Sequence, residues 1–374
     1  AQATARLMIN QRLCVGSLGL SGSLRPALRR SGLIAGGGHT QCVRRRAAAL
    51  TALLGFSAVA ASHDMHAKGF ATASNSGAAA PERTSLGEGI AFGHLAVGAN
   101  KVLQALPGGS SVSLQGLNPI AVGHSVVVPR NPVARLGDLT FSELDDFWYA
   151  VACTRSMLQK HLPSVTAFNI AVLDGASAGQ PVPHIHAHVI PRSPGDALGD
   201  DRVHKAVEAW APVPRETLPV AWEGPADEDR KPRTPEIMAE EAGVYRSLLE
   251  VPPSQLEEAH MFAKFTIAAA STFYRSPSGL SVAFVNLKPL LPGHVLVTPR
   301  RIVPRMEDLT AEELVDLFRT ARTVQAAVCA HHGADSANLG IQDGFDAGMT
   351  VPHVHLHILP RRKPAGSAPE QCSG

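Results

Sequence analysis

Two stretches of the chain alternate strictly between histidine and apolar residues, and both end at Pro-Arg. Residues 184–192 read HIHAHVIPR, and residues 353–361 read HVHLHILPR. Strict alternation is the periodicity of a β-strand, whose successive side chains point to opposite faces of the sheet. The pattern therefore predicts two strands, each with three imidazoles on one face and with core-forming apolar residues on the other.

The sequence upstream of each histidine run also occurs twice. The Asp-Leu-Thr motifs at 138–140 and 308–310 stand 170 positions apart, and the histidine runs stand 169 apart. The near-constant offset indicates a duplicated unit. In each copy the threonine is followed three residues later by Glu143 or Glu313, which together form the capping box that opens a helix.

Each copy is predicted to contain strands, a long helix, another strand, an Asp-Gly-x-x-Ala-Gly turn and the histidine strand. This order favours the α+β class, an antiparallel sheet with a helix on one face. The expected organisation is a targeting presequence at 1–62, a linker at 63–88, a first domain at 89–195, a linker with a helical tail at 196–258, a second domain at 259–366 and a tail at 367–374.

The N-terminal segment has the composition of an organellar transit peptide. No acidic residue precedes Asp64, whereas arginines are scattered among Ser, Gly, Ala and Leu. The apolar run 47–61 is short for a membrane span and suits a signal h-region. We expect a plastid or mitochondrial location, and no stable membrane insertion of the mature protein. A basic tail on a cytoplasmic protein is the alternative.

Charge and cysteine usage narrow the possible partners. A formal net charge of +2 gives no reason to expect a general nucleic-acid partner. The five cysteines form no close pairs, so neither a disulfide framework nor a zinc ribbon is expected.

A row of three imidazoles has three interpretations. The histidines could simply fill a polar sheet face. A zinc site would need further ligands, because the outer two histidines of a strand lie roughly 13 Å apart. The third interpretation is a site for an extended polyanion, in which a neutral imidazole attacks phosphorus and its neighbours donate hydrogen bonds to the phosphate oxygens. We expect no metal ligands among these residues.

The histidine pattern resembles the signature of the histidine triad (HIT) family of nucleotide hydrolases and transferases. The wider match is most similar to the fragile histidine triad branch, the diadenosine triphosphate hydrolases. In the second copy it includes residues 283–297, 308–310 and 342–344. The linker, with Trp222, Arg233 and the helical stretch 236–242, resembles the C-terminal tail of that branch.

This resemblance implies the site residues. The middle histidine of each triad, His355 or His186, would be the nucleophile. The substrate-binding residues would be Asn286, His294, Gln342, Gly348, Met349, Thr350, Val351, His353 and His357 in the second copy, and His124, Gln180, His184 and His188 in the first.

The two copies differ at three of these positions. The first has Gly116 and Leu173 where the second has Asn286 and Gln342. Conversely, the equivalent of Gln180 in the second copy is Met349. The sequence therefore predicts that the second copy is the more active.

The resemblance implies two HIT-like domains in an intramolecular pseudo-dimer, which could be monomeric. The implied activity is hydrolysis of dinucleoside polyphosphates at the α-phosphate through a nucleotidyl-histidine. The only partner is the nucleotide substrate, and no cofactor is required beyond Mg²⁺ that accompanies the phosphates. A phosphoramidase, adenylyl-sulfate hydrolase or nucleotidyltransferase is one alternative, and a nucleotide-binding regulator with little turnover is another.

Overall fold

The computed structural model describes residues 89–106, 108–213, 229–256 and 258–362. The expected presequence at 1–62, the linker at 63–88, Trp222 and the tail at 367–374 lie outside these residues.

The described strands and helices follow the order predicted for each copy. The strands are Ile90–Phe92 (β1), Leu95–Val97 (β2), Val102–Ala105 (β3), Ser111–Gln115 (β4), Ser125–Pro129 (β5), Ala167–Asp174 (β6), Ala187–Arg192 (β7), His260–Phe262 (β8), Phe265–Ile267 (β9), Thr272–Arg275 (β10), Ser281–Val285 (β11), Val295–Pro299 (β12), Ser336–Asp343 (β13) and Leu356–Arg361 (β14). The helices are Phe141–His161 (α1), Gly199–Glu208 (α2), Pro235–Leu248 (α3) and Ala311–His332 (α4).

Ten of these strands form one continuous sheet. Their order is β10-β11-β12-β14-β13-β6-β7-β5-β4-β3, and every neighbouring pair is antiparallel. The first copy supplies β3 to β7 and the second supplies β10 to β14, while the short hairpins β1–β2 and β8–β9 stand outside this sheet. The predicted α+β class with antiparallel sheets is confirmed.

The two copies meet where β6 pairs with β13. Within this ladder Ala171 lies opposite Gly340. These two residues are 169 positions apart, the offset that also separates His186 from His355. A residue that faces its own equivalent lies on a two-fold axis, so the chain is the predicted intramolecular pseudo-dimer, and each copy covers the other's sheet edge.

Helices α1 and α4 pack on one face of the sheet and against each other. Both begin with the predicted capping box, in which Thr140 or Thr310 accepts a hydrogen bond from the backbone N–H of Glu143 or Glu313. At the helix contact the rings of Trp148 and Phe318 stack with centroids 3.6 Å apart and an interplanar angle of 5°. An aromatic stack of this kind fixes the approach of the two helices.

A buried ion pair, with further hydrogen bonds around it, also joins the two copies. Asp343, at the end of β13, accepts hydrogen bonds from Arg155 Nε of α1 at 2.9 Å, from Arg305 Nε at 3.0 Å and from the backbone N–H of Met306 at 2.9 Å. Arg155 also pairs with Glu307. The guanidinium and the Asp343 carboxylate are both almost fully buried, so each needs the other.

Two helices of the segment between the copies, α2 and α3, pack against the first and second copy respectively. Val203 and Val207 of α2 pack against Leu173, Ala178 and Ile190 of the first copy. Helix α3 begins after the N-cap Thr234, with Pro235 in its first turn. The predicted helical stretch 236–242 is therefore part of a longer helix. Among the described helices, none is both long enough and apolar enough to cross a bilayer.

Candidate active site

The alternation of the histidine runs places their side chains as predicted. Ile185, Ala187 and Val189 are buried in the core beneath the helices, and Val354, Leu356 and Ile358 are their counterparts. One part of the prediction is wrong, because the paired strands begin only at Ala187 and Leu356. The first two histidines of each triad lie in the segment before the strand, and the first of them is in a bend. Their backbone groups are therefore available for other contacts.

The middle histidine of the second triad has its tautomer fixed by the histidine before it. His355 Nδ1 lies 2.6 Å from the carbonyl oxygen of His353. A carbonyl can only accept, so Nδ1 carries the proton, and a neutral His355 has a free lone pair on Nε2. The His355 ring is further held by an edge contact with Phe262, at a centroid distance of 5.2 Å. The arrangement presents a nucleophilic nitrogen with a defined direction.

The first histidine of the second triad is also held by backbone groups. His353 Nε2 lies 2.9 Å from the carbonyl oxygen of Pro299, to which it donates, and its Nδ1 accepts from the backbone N–H of Ala263 at 3.2 Å. Both ring nitrogens are therefore satisfied by backbone groups. His353 orients the carbonyl that holds His355 and has no nitrogen left for substrate.

A relay of three groups fixes the last histidine. The backbone N–H of Leu290 donates to His294 Nδ1 at 3.0 Å, and His294 Nε2 lies 2.9 Å from His357 Nδ1. Because His294 Nδ1 accepts, its proton is on Nε2 and is donated to His357. Neutral His357 then carries its own proton on Nε2, which is buried without a protein partner. This N–H is a donor beside the nucleophile, suited to a phosphate oxygen.

The first copy repeats these contacts. His186 Nδ1 lies 2.8 Å from the His184 carbonyl oxygen, and His184 Nε2 lies 2.9 Å from that of Pro129. His124 Nε2 lies 3.0 Å from His188 Nδ1. Both triads are therefore built for the same chemistry.

Burial keeps the imidazoles neutral. Burial, followed by the neighbouring Arg230, Arg233 and His355, lowers the pKa of His294 to about 3. Burial lowers the pKa of His353 and of His186 to about 4. Burial also lowers the pKa of His355 below 6.5 and that of His357 well below it. At neutral pH the triads are uncharged, as the tautomer assignments require.

The turn before the second triad is built by glycines and by the opposite copy. Gly344 and Gly348 have φ values of +111° and +88°, which favour glycine. The carbonyl oxygen of Ala347 accepts from Asn169 Nδ2 of the first copy at 3.0 Å. Asn169 was not among the residues predicted from the sequence, although a polar residue within the apolar strand β6 is a signal for such a role. Its contact ties the turn of one copy to the central strand of the other.

A cavity of about 200 Å³ lies beside this turn. The loop after the first histidine strand, residues 192–199, forms one side, and residues 345–350 form the other. The predicted residues Gly348, Met349 and Thr350 line it, while Val351 is half-buried beyond them. None of the triad histidines lines this cavity.

Asn286 and Gln342 lie near the second triad. Asn286 Nδ2 is 3.2 Å from His294 Nε2, and its Oδ1 accepts from the backbone N–H of Lys288 at 3.0 Å. Gly340 is paired with His357, so Gln342, two residues along the strand, faces the same side of the sheet as the triad. Both residues lie near the second triad, and their contacts with substrate stay a prediction.

Two arginines from the linker border the same loop. Arg233 donates to the carbonyl oxygen of Asn286 at 3.0 Å from Nε, and Arg230 donates to that of Lys288 at 2.9 Å. The resemblance of the linker included Arg233 without implying a contact for it, and Arg230 was not among the predicted residues. Arg233 also forms an ion pair with Glu241, which offsets its charge.

Gln180 has a different role in the first copy. Its Oε1 accepts from the backbone N–H of Gly175 at 2.7 Å, and its Nε2 donates to the carbonyl oxygens of Ala134 and Val182 at 2.9 Å each. These bonds stabilise the turn itself. A contact between Gln180 and substrate stays a prediction.

In the described residues, no group of three or more His, Cys, Asp or Glu side chains is arranged to hold a metal ion. That no metal is needed stays a prediction.

The HIT domain family matches the chain twice, at residues 108–195 and 269–364. A bis(5'-nucleosyl)-tetraphosphatase of Schizosaccharomyces pombe is 58% identical over 102 residues, 27% of this chain and 54% of the relative. A bifunctional bis(5'-adenosyl)-triphosphatase/adenylylsulfatase of Arabidopsis thaliana is 54% identical over 103 residues, 28% of this chain and 56% of the relative.

A bis(5'-adenosyl)-triphosphatase of Dictyostelium discoideum is 50% identical over 102 residues, 27% of this chain and 67% of the relative. The chain thus spans about half to two thirds of the length of these curated relatives. The two matches coincide with the two copies that carry the triads, and the chain belongs to the HIT family as a tandem protein of the fragile histidine triad type.

Proposed function

We propose that the chain hydrolyses dinucleoside polyphosphates of the diadenosine triphosphate type at the α-phosphate, using His355 as the nucleophile. The observation that carries the proposal is the His353 carbonyl on His355 Nδ1, which leaves a neutral Nε2 beside the N–H of His357. The names of the Schizosaccharomyces, Arabidopsis and Dictyostelium relatives support the same reaction class.

The reaction proceeds by two displacements. His355 Nε2 attacks the α-phosphorus, the P–N bond forms, and the bond to the bridging oxygen breaks to release a nucleoside diphosphate. Water then attacks the same phosphorus and releases a nucleoside monophosphate and the neutral imidazole. The net reaction consumes one water for each anhydride bond.

The other residues of the site position the substrate and stabilise the transition state. His357 Nε2–H donates to the non-bridging oxygen on which charge develops, and the relay through His294 keeps that proton in place. Asn286 and Gln342 hold the nucleotide. The turn at 344–350 contributes backbone N–H groups other than those of Ala347, Gly348 and Met349, which donate within the turn. His357 and Gln342 belong to strands, and Asn286 and His294 are directly next to strand ends, so little reorganisation is needed. The proposal requires no cofactor beyond Mg²⁺ that travels with the substrate.

Trapping the intermediate tests this function. Diadenosine triphosphate labelled at the α-phosphate is mixed with the full chain and quenched in milliseconds, and the protein is digested to locate the label. We expect an adenylyl group on His355, formed and lost at rates that account for turnover. Product formation without any labelled histidine would refute the mechanism, and binding with negligible product release would favour a regulator instead.

Adenylyl sulfate is the second candidate substrate. In this proposal the site contacts only the nucleotide and its α-phosphate, and the Arabidopsis relative is named for both activities. A panel of diadenosine triphosphate, adenylyl sulfate and a nucleoside phosphoramidate ranks the leaving groups. A kcat/KM that is highest for adenylyl sulfate would replace the first candidate with this one.

The pH dependence should reflect the neutral triad. Burial lowers the pKa of His355, so the reactive neutral form persists below pH 6.5. We expect kcat/KM to be constant through neutral pH and to fall only at a midpoint below 6.5. Circular dichroism on the same samples is the control, since histidines with depressed folded pKa values lose their stabilisation as pH falls from 6.5 toward those values. A midpoint at or above 6.5 in folded protein would contradict the assignment.

We also propose that residues 1–62 direct the protein to a plastid or mitochondrion and are then removed, and that the mature chain acts as a monomer without a nucleic-acid partner. The absence of acidic residues before Asp64 supports the targeting proposal. When protein from tissue is sequenced, its N-terminus should lie near residue 62. An N-terminus that still contains residues 44–46 would contradict the targeting proposal.

Sedimentation velocity tests the oligomeric state. Sedimentation as a dimer would contradict the proposal that the mature chain is a monomer.

A further inference from the structure

Trp210 lies inside the first copy, against its histidines. It follows α2 by two residues and is 1% exposed. The centroid distances from its ring to His124, His186 and His188 are 6.0, 5.4 and 4.7 Å. Its Nε1 donates to the carbonyl oxygens of Leu117 and Asn118 at 3.1 and 2.9 Å. The indole is therefore fully packed and fully hydrogen-bonded.

The indole fills an apolar pocket that both copies possess. In the first copy it packs in one cluster with Ile90, Phe92, Val97, Val112, Leu114, Val126, Val128 and Val182. In the second copy the equivalent cluster is Phe262, Phe284 and Leu296, packed against Ile267 and Val351. Within the described residues, no tryptophan belongs to that second cluster.

The two copies also differ in the exposure of their triad histidines. His186 and His188 are 0% exposed, and Nε2 of each is buried without a partner. In the second copy His355 is 5% exposed and His357 is half-buried. Nε2 of the middle histidine is therefore covered in the first copy but not in the second, whereas Nε2 of the last histidine, His188 or His357, is buried in both.

The segment that carries Trp210 is anchored on both sides. Asn118 Nδ2 donates to the Ala211 carbonyl oxygen at 3.0 Å, and Val207 of α2 packs against Leu173. Leu173 is the equivalent of Gln342. The apolar side chain of Leu173 packs under helix α2. It cannot donate the hydrogen bond to a nucleotide that is proposed for Gln342.

We propose that Trp210 occupies the nucleoside pocket of the first copy, so that this copy is a purine nucleotide site closed by the chain's own indole. The proposal rests on the function proposed for the second copy. It explains why a complete triad can coexist with Gly116 and Leu173. It also means that one nucleotide binds per chain although the chain has two triads.

Calorimetric titration with adenosine 5'-monophosphate tests the stoichiometry in the full chain. We expect one equivalent to bind the wild type and to protect His355 from diethyl pyrocarbonate. Trp210→Ala should bind a second, weaker equivalent, and added indole should compete for that one alone. Trp210→Phe, which keeps an aromatic ring in the pocket, should bind one equivalent of the nucleotide. Val213→Ala, an exposed change three residues away, is the matched control and should also bind one.

The outcomes separate this inference from the proposed function. Wild type that binds two equivalents, or folded Trp210→Ala that still binds one, would overturn the inference and leave the second site standing. Wild type that binds none would remove the proposed function, and the inference with it. If Trp210→Ala does not fold, labelling of the wild type decides. The closed pocket predicts that diethyl pyrocarbonate reacts with His355 at least about tenfold faster than with His186, and equal rates would overturn it.

Discussion

Replacing His355 with alanine is expected to lower kcat for diadenosine triphosphate by about four orders of magnitude or more, since the residue forms the covalent intermediate. The same replacement at His186 should leave most of the activity. Turnover by the two variants is measured side by side. They are matched controls for each other, because each removes the middle histidine of a triad held by the same backbone contacts.

The inequality has two physical sources. The first copy lacks the polar side chains of Asn286 and Gln342, and each lost hydrogen bond to a charged or ribose group costs about 1.5–3 kcal/mol. Two such losses amount to roughly two to four decades in affinity or rate, although they need not be additive. Trp210 then closes what remains of the pocket.

Equal losses in the two variants would show that both sites turn over, contrary to this account. A larger loss for His186→Ala would show that Gln180 contributes more to catalysis than its contacts with the turn suggest. Thermal unfolding of both variants is the control for stability, because His186 and His355 are both buried.

Asp343→Ala is expected to lower the free energy of unfolding by about 3–5 kcal/mol, the largest effect on stability that we predict. The change leaves Arg155 Nε, Arg305 Nε and the Met306 N–H without their acceptor. Arg155 is 1% exposed, so water cannot replace the carboxylate. Urea unfolding followed by circular dichroism measures the effect.

Asp174→Ala is the matched control, because Asp174 is the equivalent residue of the first copy. Its partners are Arg135, whose side chain is 37% exposed, the neutral Gln325 and the Leu136 N–H. Water can hydrate much of the Arg135 guanidinium, so we expect a loss of about 1–3 kcal/mol. Equal losses at the two positions would mean that burial of Arg155 does not set the cost.

The sequence by itself determined the repeated unit and its local structure. Alternating histidines and apolar residues can satisfy a buried core only as an extended segment, and Thr140 with Glu143 can satisfy free N–H groups only at a helix start. These are interactions between residues close in the chain, so the strand, the capping box, the triad and the two copies were predictable. The inequality of the copies at Gly116 and Leu173 was also visible.

Tertiary structure decided how these units act together. The pairing of Ala171 with Gly340, the bond from Asn169 to Ala347 and the buried Arg155–Asp343 pair join residues far apart in sequence. The position of Trp210 depends on where α2 packs, which no local periodicity encodes. A polar or aromatic residue in a linker has the same local pattern whether it faces solvent or fills a pocket. Its role is set by the surface that the rest of the fold brings against it.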